Sequence, residues 1–133
     1  MKSFDVSAPR FAALLLTLLL AAGFSGCTSV QVTSDNKTVG EYKFGYLIVQ
    51  PLQPFEKVRE ATKKAFKDVG YFLVQDELDL PGSCELRART PSDTIVNVKL
   101  KSFGSYTNVK IRHGLSGELA PEQQLYQAIE RNF

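Results

Sequence analysis

Ser83-Cys84-Glu85-Leu86-Arg87-Ala88-Arg89-Thr90 and, after Pro91-Ser92-Asp93, Thr94-Ile95-Val96-Asn97-Val98-Lys99-Leu100-Lys101 are the stretches that decide the fold. In both, small or branched apolar residues alternate with charged or amide side chains, the period-two pattern of a strand with one buried face. A further copy runs from Tyr106 to His113, and Tyr71 to Glu77 precedes the set. The connections carry turn chemistry: Pro81-Gly82 suits a type II turn, Pro91-Ser92-Asp93 a type I turn, and Gly104-Ser105 a tight hairpin. Links this short force neighbouring strands to run antiparallel. Successive side chains then point to opposite faces. Cys84, Leu86, Ala88, Val96, Val98, Leu100, Val109 and Ile111 fall on one face, and Arg87, Arg89, Lys99, Lys101, Lys110 and Arg112 fall on the other.

Upstream, Glu41 to Val49 reads as one strand, with Tyr42, Phe44, Tyr46 and Ile48 on one side and Leu47 and Val49 on the other. Pro51 ends it. Pro54 opens a helix where its missing N–H costs nothing, and Gly70 stops it. Phe55, Val58, Thr62, Ala65, Phe66 and Val69 recur at helical spacing as one apolar stripe, while lysine, arginine and glutamate cover the rest. After Gly114 and Gly117, Pro121 starts a last helix with Leu125, Ala128, Ile129 and Phe133 on its buried side. The order β-α-β-β-β-β-α implies a two-layer α+β fold: an antiparallel sheet of four to five strands with both helices on one face. With 133 residues, 44% of them hydrophobic and 23% charged, the chain has material for one globular domain.

The first residues differ in kind. Lys2 and Arg10 flank the start of Phe11 to Ala22, an uncharged run of about a dozen residues that fits a secretory signal and falls short of the roughly 20 a spanning helix needs. Phe24-Ser25-Gly26-Cys27 resembles the lipobox of bacterial lipoprotein precursors, with Phe24 where leucine is usual. That likeness implies a signal peptide over 1–26 and a lipidated Cys27, whose several acyl chains would hold the protein to one leaflet. An ordinary signal peptide cleaved nearby, or an uncleaved anchor, would lead to the same compartment. Thr28 stands where an aspartate would retain a lipoprotein at the inner membrane, which implies the outer membrane in a two-membrane bacterium. Residues 27–40 read as the lipidated cysteine and a flexible polar tether, and 41–133 as the single domain. With Cys27 acylated, Cys84 has no partner for a disulfide, and its phase with Leu86 and Ala88 makes it a small buried hydrophobe.

By these residues the mature chain resembles an uncharacterised family of small bacterial lipoproteins, domain of unknown function family 3568. The likeness runs from about Tyr46 to Phe133. It rests on Phe55-Glu56-Lys57-Val58 through Ala61-Thr62 and Ala65-Phe66 to Val69-Gly70, on Glu85-Leu86-Arg87-Ala88-Arg89-Thr90, on Val96, Val98 and Leu100, and on Thr107, Val109, Ile111, Arg112 and Gly114. The chain departs from the family pattern at His113, where an apolar residue is commoner, and in Leu115 to Leu119. The resemblance implies the fold and an envelope location, and it brings no activity.

Little in the chain points to catalysis. His113 is the only histidine, and nothing selects a nucleophile for it. Asp76, Glu77 and Asp79 cluster without the order of a calcium loop. Gly114 and Gly117 precede a helix N-terminus where phosphate could bind, but Glu118 and Glu122 already supply the charge the helix dipole favours. No cofactor, metal or catalytic residue is expected, and the protein is expected not to be an enzyme. Two readings of the basic face stay open: a solvated surface that keeps the sheet soluble, or a docking surface for an anionic envelope component or acidic protein. Nucleic acid is not an expected partner, since an exported protein rarely meets it and the aromatic platform of a strand-reading sheet is missing. The expectation is a cell-envelope lipoprotein, facing the periplasm, that works by binding or by supporting assembly.

Overall fold

The computed structural model describes residues 28–32 and 38–133. The signal peptide expected over 1–26 and the expected lipidation site Cys27 lie outside the described residues. Strands β1 (Thr28–Gln31), β2 (Val39–Lys43) and β3 (Tyr46–Val49) come first, followed by α1 (Phe55–Asp68). Then β4 (Phe72–Leu80), β5 (Ser83–Arg89), β6 (Ile95–Ser102) and β7 (Thr107–His113) lead to α2 (Leu119–Glu130). All seven strands join one antiparallel sheet in the order β1-β2-β3-β7-β6-β5-β4. After β3 the chain crosses by way of α1 to the far edge, then returns strand by strand until β7 pairs with β3.

The α+β class is as the alternation implies, but among the described residues the sheet has seven strands where four to five were expected. One difference is a hidden turn. The run from Glu41 to Val49 is two strands, since Phe44 (φ 52°) and Gly45 (φ 73°) both adopt left-handed backbone and Lys43 pairs with Tyr46. That is a two-residue type I′ hairpin, whose usual signal is Asn-Gly or Asp-Gly. A phenylalanine in its first position, at a cost of about 1–2 kcal/mol, leaves no such signal.

The second difference corrects the tether. Of the stretch 28–40, Thr28–Gln31 pairs with Val39–Tyr42, and Val32 is buried in the core. Polar residues read as linker here satisfy edge and helix groups instead: Gln123 and Gln127 donate their amides to the Gln31 and Val32 carbonyls, and the Thr38 hydroxyl donates to Glu130 at 2.7 Å. The folded unit therefore takes in Thr28–Gln31 and Val32 as well as the residues from Glu41 onward.

Packing follows the predicted stripes. Phe55, Val58, Thr62, Ala65 and Phe66 of α1 are buried as spaced, joined by Ala61, while Val69 is only partly covered. From α2 come Leu125, Ala128 and Ile129, with Tyr126 and Glu122 buried beside them. The two helices contact each other and lie over β3, β4, β6 and β7. They enclose one core with the inward residues of β3 and β5–β7, where Leu47, Leu86, Val96, Val98, Val109 and Ile111 are fully covered.

Candidate anion-docking face

The six cations expected on one face do share the face turned away from the helices, because the register sets them side by side. Lys99 lies directly opposite Lys110, Glu85 opposite Lys99, Arg87 opposite Asn97, and Asn97 opposite Arg112. Lys101 pairs with Asn108 and Ser83, and Arg89 with Ile95. The sheet also brings in residues that alternation within single strands could not place. Glu41, Lys43, Tyr46 and Ile48 extend the face from β2 and β3, and Gln75 and Glu77 extend it from β4. Only knowledge of which strands are neighbours reveals them.

Their charges are unevenly balanced. Arg89 is paired with Asp93 at 2.6 Å, and Glu85 is shared by Arg87 at 3.6 Å and Lys99 at 3.7 Å. Arg112 sits over Tyr46, its guanidinium carbon 4.9 Å from the ring centroid, and Lys101 over Phe103 at 5.4 Å. Lys110 makes no ion pair among the described residues, though it sits against Lys99. Like charges directly opposite on a sheet destabilise it, so an anion bridging the two ammonium groups would relieve that repulsion. Two shallow depressions meet at this pair. One, of about 480 Å³, is lined by Glu41, Lys43, Phe44, Tyr46, Ile48 and both lysines. The other, of about 300 Å³, is lined by the lysines with Ser83, Glu85, Phe103 and Asn108 among others. A larger cleft of about 800 Å³ runs between β2, Pro51–Gln53 and α2, but its charged lining residues, Glu41 and Glu130, are acidic and would not draw an anion.

Of the other polar groups singled out in the sequence, Asp76, Glu77 and Glu122 have structural partners. Alternation divides the acidic cluster: Glu77 faces outward, whereas Asp76 faces α1 and takes a bidentate pair from Arg59 at 2.8 and 2.9 Å and Lys63 at 2.8 Å. Burial alone would raise the Asp76 carboxyl, but hydrogen bonds from Lys63 and Arg59, with their charges, outweigh it and hold the carboxyl below its ordinary value. A carboxylate depressed in the folded state lends stability at neutral pH that is lost as pH falls below about 4, toward and through its folded value. Asp76→Asn should therefore cost about 1–2 kcal/mol at pH 7, and the deficit should shrink in urea titrations repeated toward pH 3. An undiminished deficit in acid would show that the carboxylate charge is not its source.

His113 ends β7 with its ring against Tyr71, 6.4 Å between centroids, and Nδ1 3.8 Å from Glu118. Among the described residues no hydroxyl or thiol is hydrogen-bonded to it. The α2 N-terminus is occupied by the chain itself: buried Glu122 accepts the backbone N–H groups of Glu118, His113 and Leu47 at 3.0, 2.9 and 3.0 Å. Sequence reading assigned this glutamate to capping; it also ties α2 to the β3 and β7 strands. Cys84 is buried, and that burial pushes its thiol up to about 11, far from a nucleophile's range. No group of three histidine, cysteine or acidic side chains is placed to hold a metal ion among the described residues. No described helix is long and apolar enough to cross a membrane.

No curated protein matches the chain. A family model described as a protein of unknown function (DUF3568) matches residues 10–132, nearly the whole sequence, and the chain belongs to that family.

Proposed function

We propose that this is a bacterial cell-envelope lipoprotein, exported by residues 1–26, acylated on Cys27 and facing the periplasm, whose domain acts by binding or by supporting assembly rather than by catalysis. The observation that carries this reading is the charged-then-apolar leader ending at Cys27, one residue ahead of the first strand. Thr28 next to the cysteine favours the outer membrane. Mass spectrometry of the protein from a bacterial host is expected to show loss of residues 1–26 and added acyl mass on Cys27, and Cys27→Ser is expected to remain uncleaved and unacylated. An intact Met1 on a cytosolic species would overturn the reading.

The cross-strand pairing of Lys99 with Lys110 favours a sharper version, in which the outer sheet face docks an anionic envelope component. Each Lys or Arg near an anionic surface contributes about 1 kcal/mol. Reversing Arg87, Lys99 and Lys110 to Glu should then weaken binding to soluble peptidoglycan fragments or anionic vesicles by at least about 100-fold, and wild-type binding should fall with added salt. Binding that ignores both salt and the three reversals would exclude this face. No cofactor is assigned.

A further inference from the structure

Strand β1 begins at Thr28, the residue that directly follows Cys27 in the sequence. Thr28 pairs with Tyr42, two residues short of the Phe44–Gly45 turn. Twenty-seven residues precede Thr28, including the apolar run Phe11 to Ala22, and they end here. Whatever holds Cys27 to a bilayer therefore holds this end of the sheet close to it.

The same end carries the two most exposed large apolar side chains among the described residues, Phe44 at 84% and Leu115 at 96%. Their turns touch backbone to backbone. A Cβ on Gly45 would lie 2.1 Å from the Ser116 carbonyl oxygen, and one on Gly117 would lie 2.0 Å from the Gly45 oxygen. Arg112 adds a tie, sitting over Tyr46 and donating to the Leu115 carbonyl. Locked this way, neither turn can swing inward to bury its side chain. Lys43 lies 5.5 Å from the Phe44 ring centroid, which sets a snorkelling cation beside an aromatic ring as at a headgroup boundary. Glu118 and Asp93 are also at this end, so the apolar pair, rather than net charge, supplies the attraction. The opposite end exposes Leu52 at 80% and Leu80 at 69%. Exposure alone therefore does not choose an end, and the position of Thr28 does.

We infer that Phe44 and Leu115 form a membrane-docking rim that seats the domain directly on the lipid surface, an inference that rests on anchorage at Cys27. The strands rise from the bilayer, and the basic face is turned sideways, free for a periplasmic partner.

The chain contains no tryptophan, so Phe44→Trp, Leu115→Trp and Leu52→Trp each introduce a sole reporter at an exposed site. Each full chain, produced in a bacterial host, is reconstituted into phosphatidylethanolamine–phosphatidylglycerol vesicles with and without acyl-brominated lipid. Emission at 44 and 115 is expected to shift to the blue and to be quenched several-fold more strongly than at 52. In the unaltered protein, amide exchange over 43–46 and 114–117 should slow on vesicles while that over 102–106 does not. Quenching that is equal at all three positions, or absent at 44 and 115, overturns the rim. Mass spectrometry of the same samples reads the anchor separately. Acylated protein without quenching sinks the rim alone, and quenching without acylation sustains the rim while sinking the lipoprotein reading. The loss of both signals sinks both.

Discussion

Glu122→Ala is expected to lower the unfolding free energy by about 3–5 kcal/mol, measured as a shift of the urea midpoint. The side chain is fully buried and accepts three backbone N–H groups, from Leu47, His113 and Glu118. Truncation leaves all three without partners and opens a hole between α2 and the sheet. A small domain has only about 5–15 kcal/mol to lose, so Glu122→Gln is the milder companion. Its amide can accept on one side only, and it sets a donor against a donor on the other, for about 1–3 kcal/mol. Burial raises the Glu122 carboxyl above its ordinary value, against the backbone hydrogen bonds that favour its charged form. The sign follows. A folded state that holds the proton more tightly than the unfolded one loses stability as pH rises from about 4.5 through the raised value, and keeps a constant deficit above it. Glu122→Gln should flatten that part of the stability profile. An Ala variant within about 1 kcal/mol of wild type would show that the carboxylate is not seated among these donors.

Gly45→Ala is expected to cost about 3 kcal/mol or more, because two penalties coincide. The residue has a positive φ, and its new Cβ would meet the Ser116 carbonyl, an atom that cannot rotate away. Gly104 separates the two penalties. It also has a positive φ but has nothing within 4 Å of a Cβ, so Gly104→Ala should cost only about 1 kcal/mol. Gly117→Ala breaks the same contact from the other side. Once the loops have parted, the second substitution meets little resistance, so the double variant should be clearly less destabilised than the sum of the singles. Additive losses, measured by thermal unfolding, would mean that the two turns do not touch.

Legibility followed the range of the signal. The faces of β5, β6 and β7 and the stripe of α1 were readable because a period of 2 or 3.6 is written within a few residues of chain. The Phe44–Gly45 turn was not, since Phe44 continues the apolar alternation and carries none of the usual turn chemistry. Thr28–Gln31 was also hidden. A polar strand of four residues at a sheet edge has no buried face to impose a pattern, and what makes it a strand is its pairing with β2 and the amides of Gln123 and Gln127. The six basic residues could be assigned to a face from their own strands, but their balance could not. Glu41, Glu77 and Lys43 join them only through neighbouring strands.

By itself, the sequence determined that an uncharged apolar run, Phe11 to Ala22, stands ahead of Cys27, that the domain is α+β, and which side of each regular element is apolar. These are properties of local order and composition, and solvent reads them segment by segment. The tertiary structure alone decided that β7 lies between β3 and β6, that Lys99 faces Lys110, that Glu122 reaches across to the Leu47 N–H as well as to those of His113 and Glu118, and that Gly45 meets Gly117. The β3–β7 pairing, the Glu122–Leu47 bond and the Gly45–Gly117 approach join residues far apart in the chain, and such contacts and registers are fixed only when the burial of all the apolar faces together selects one arrangement.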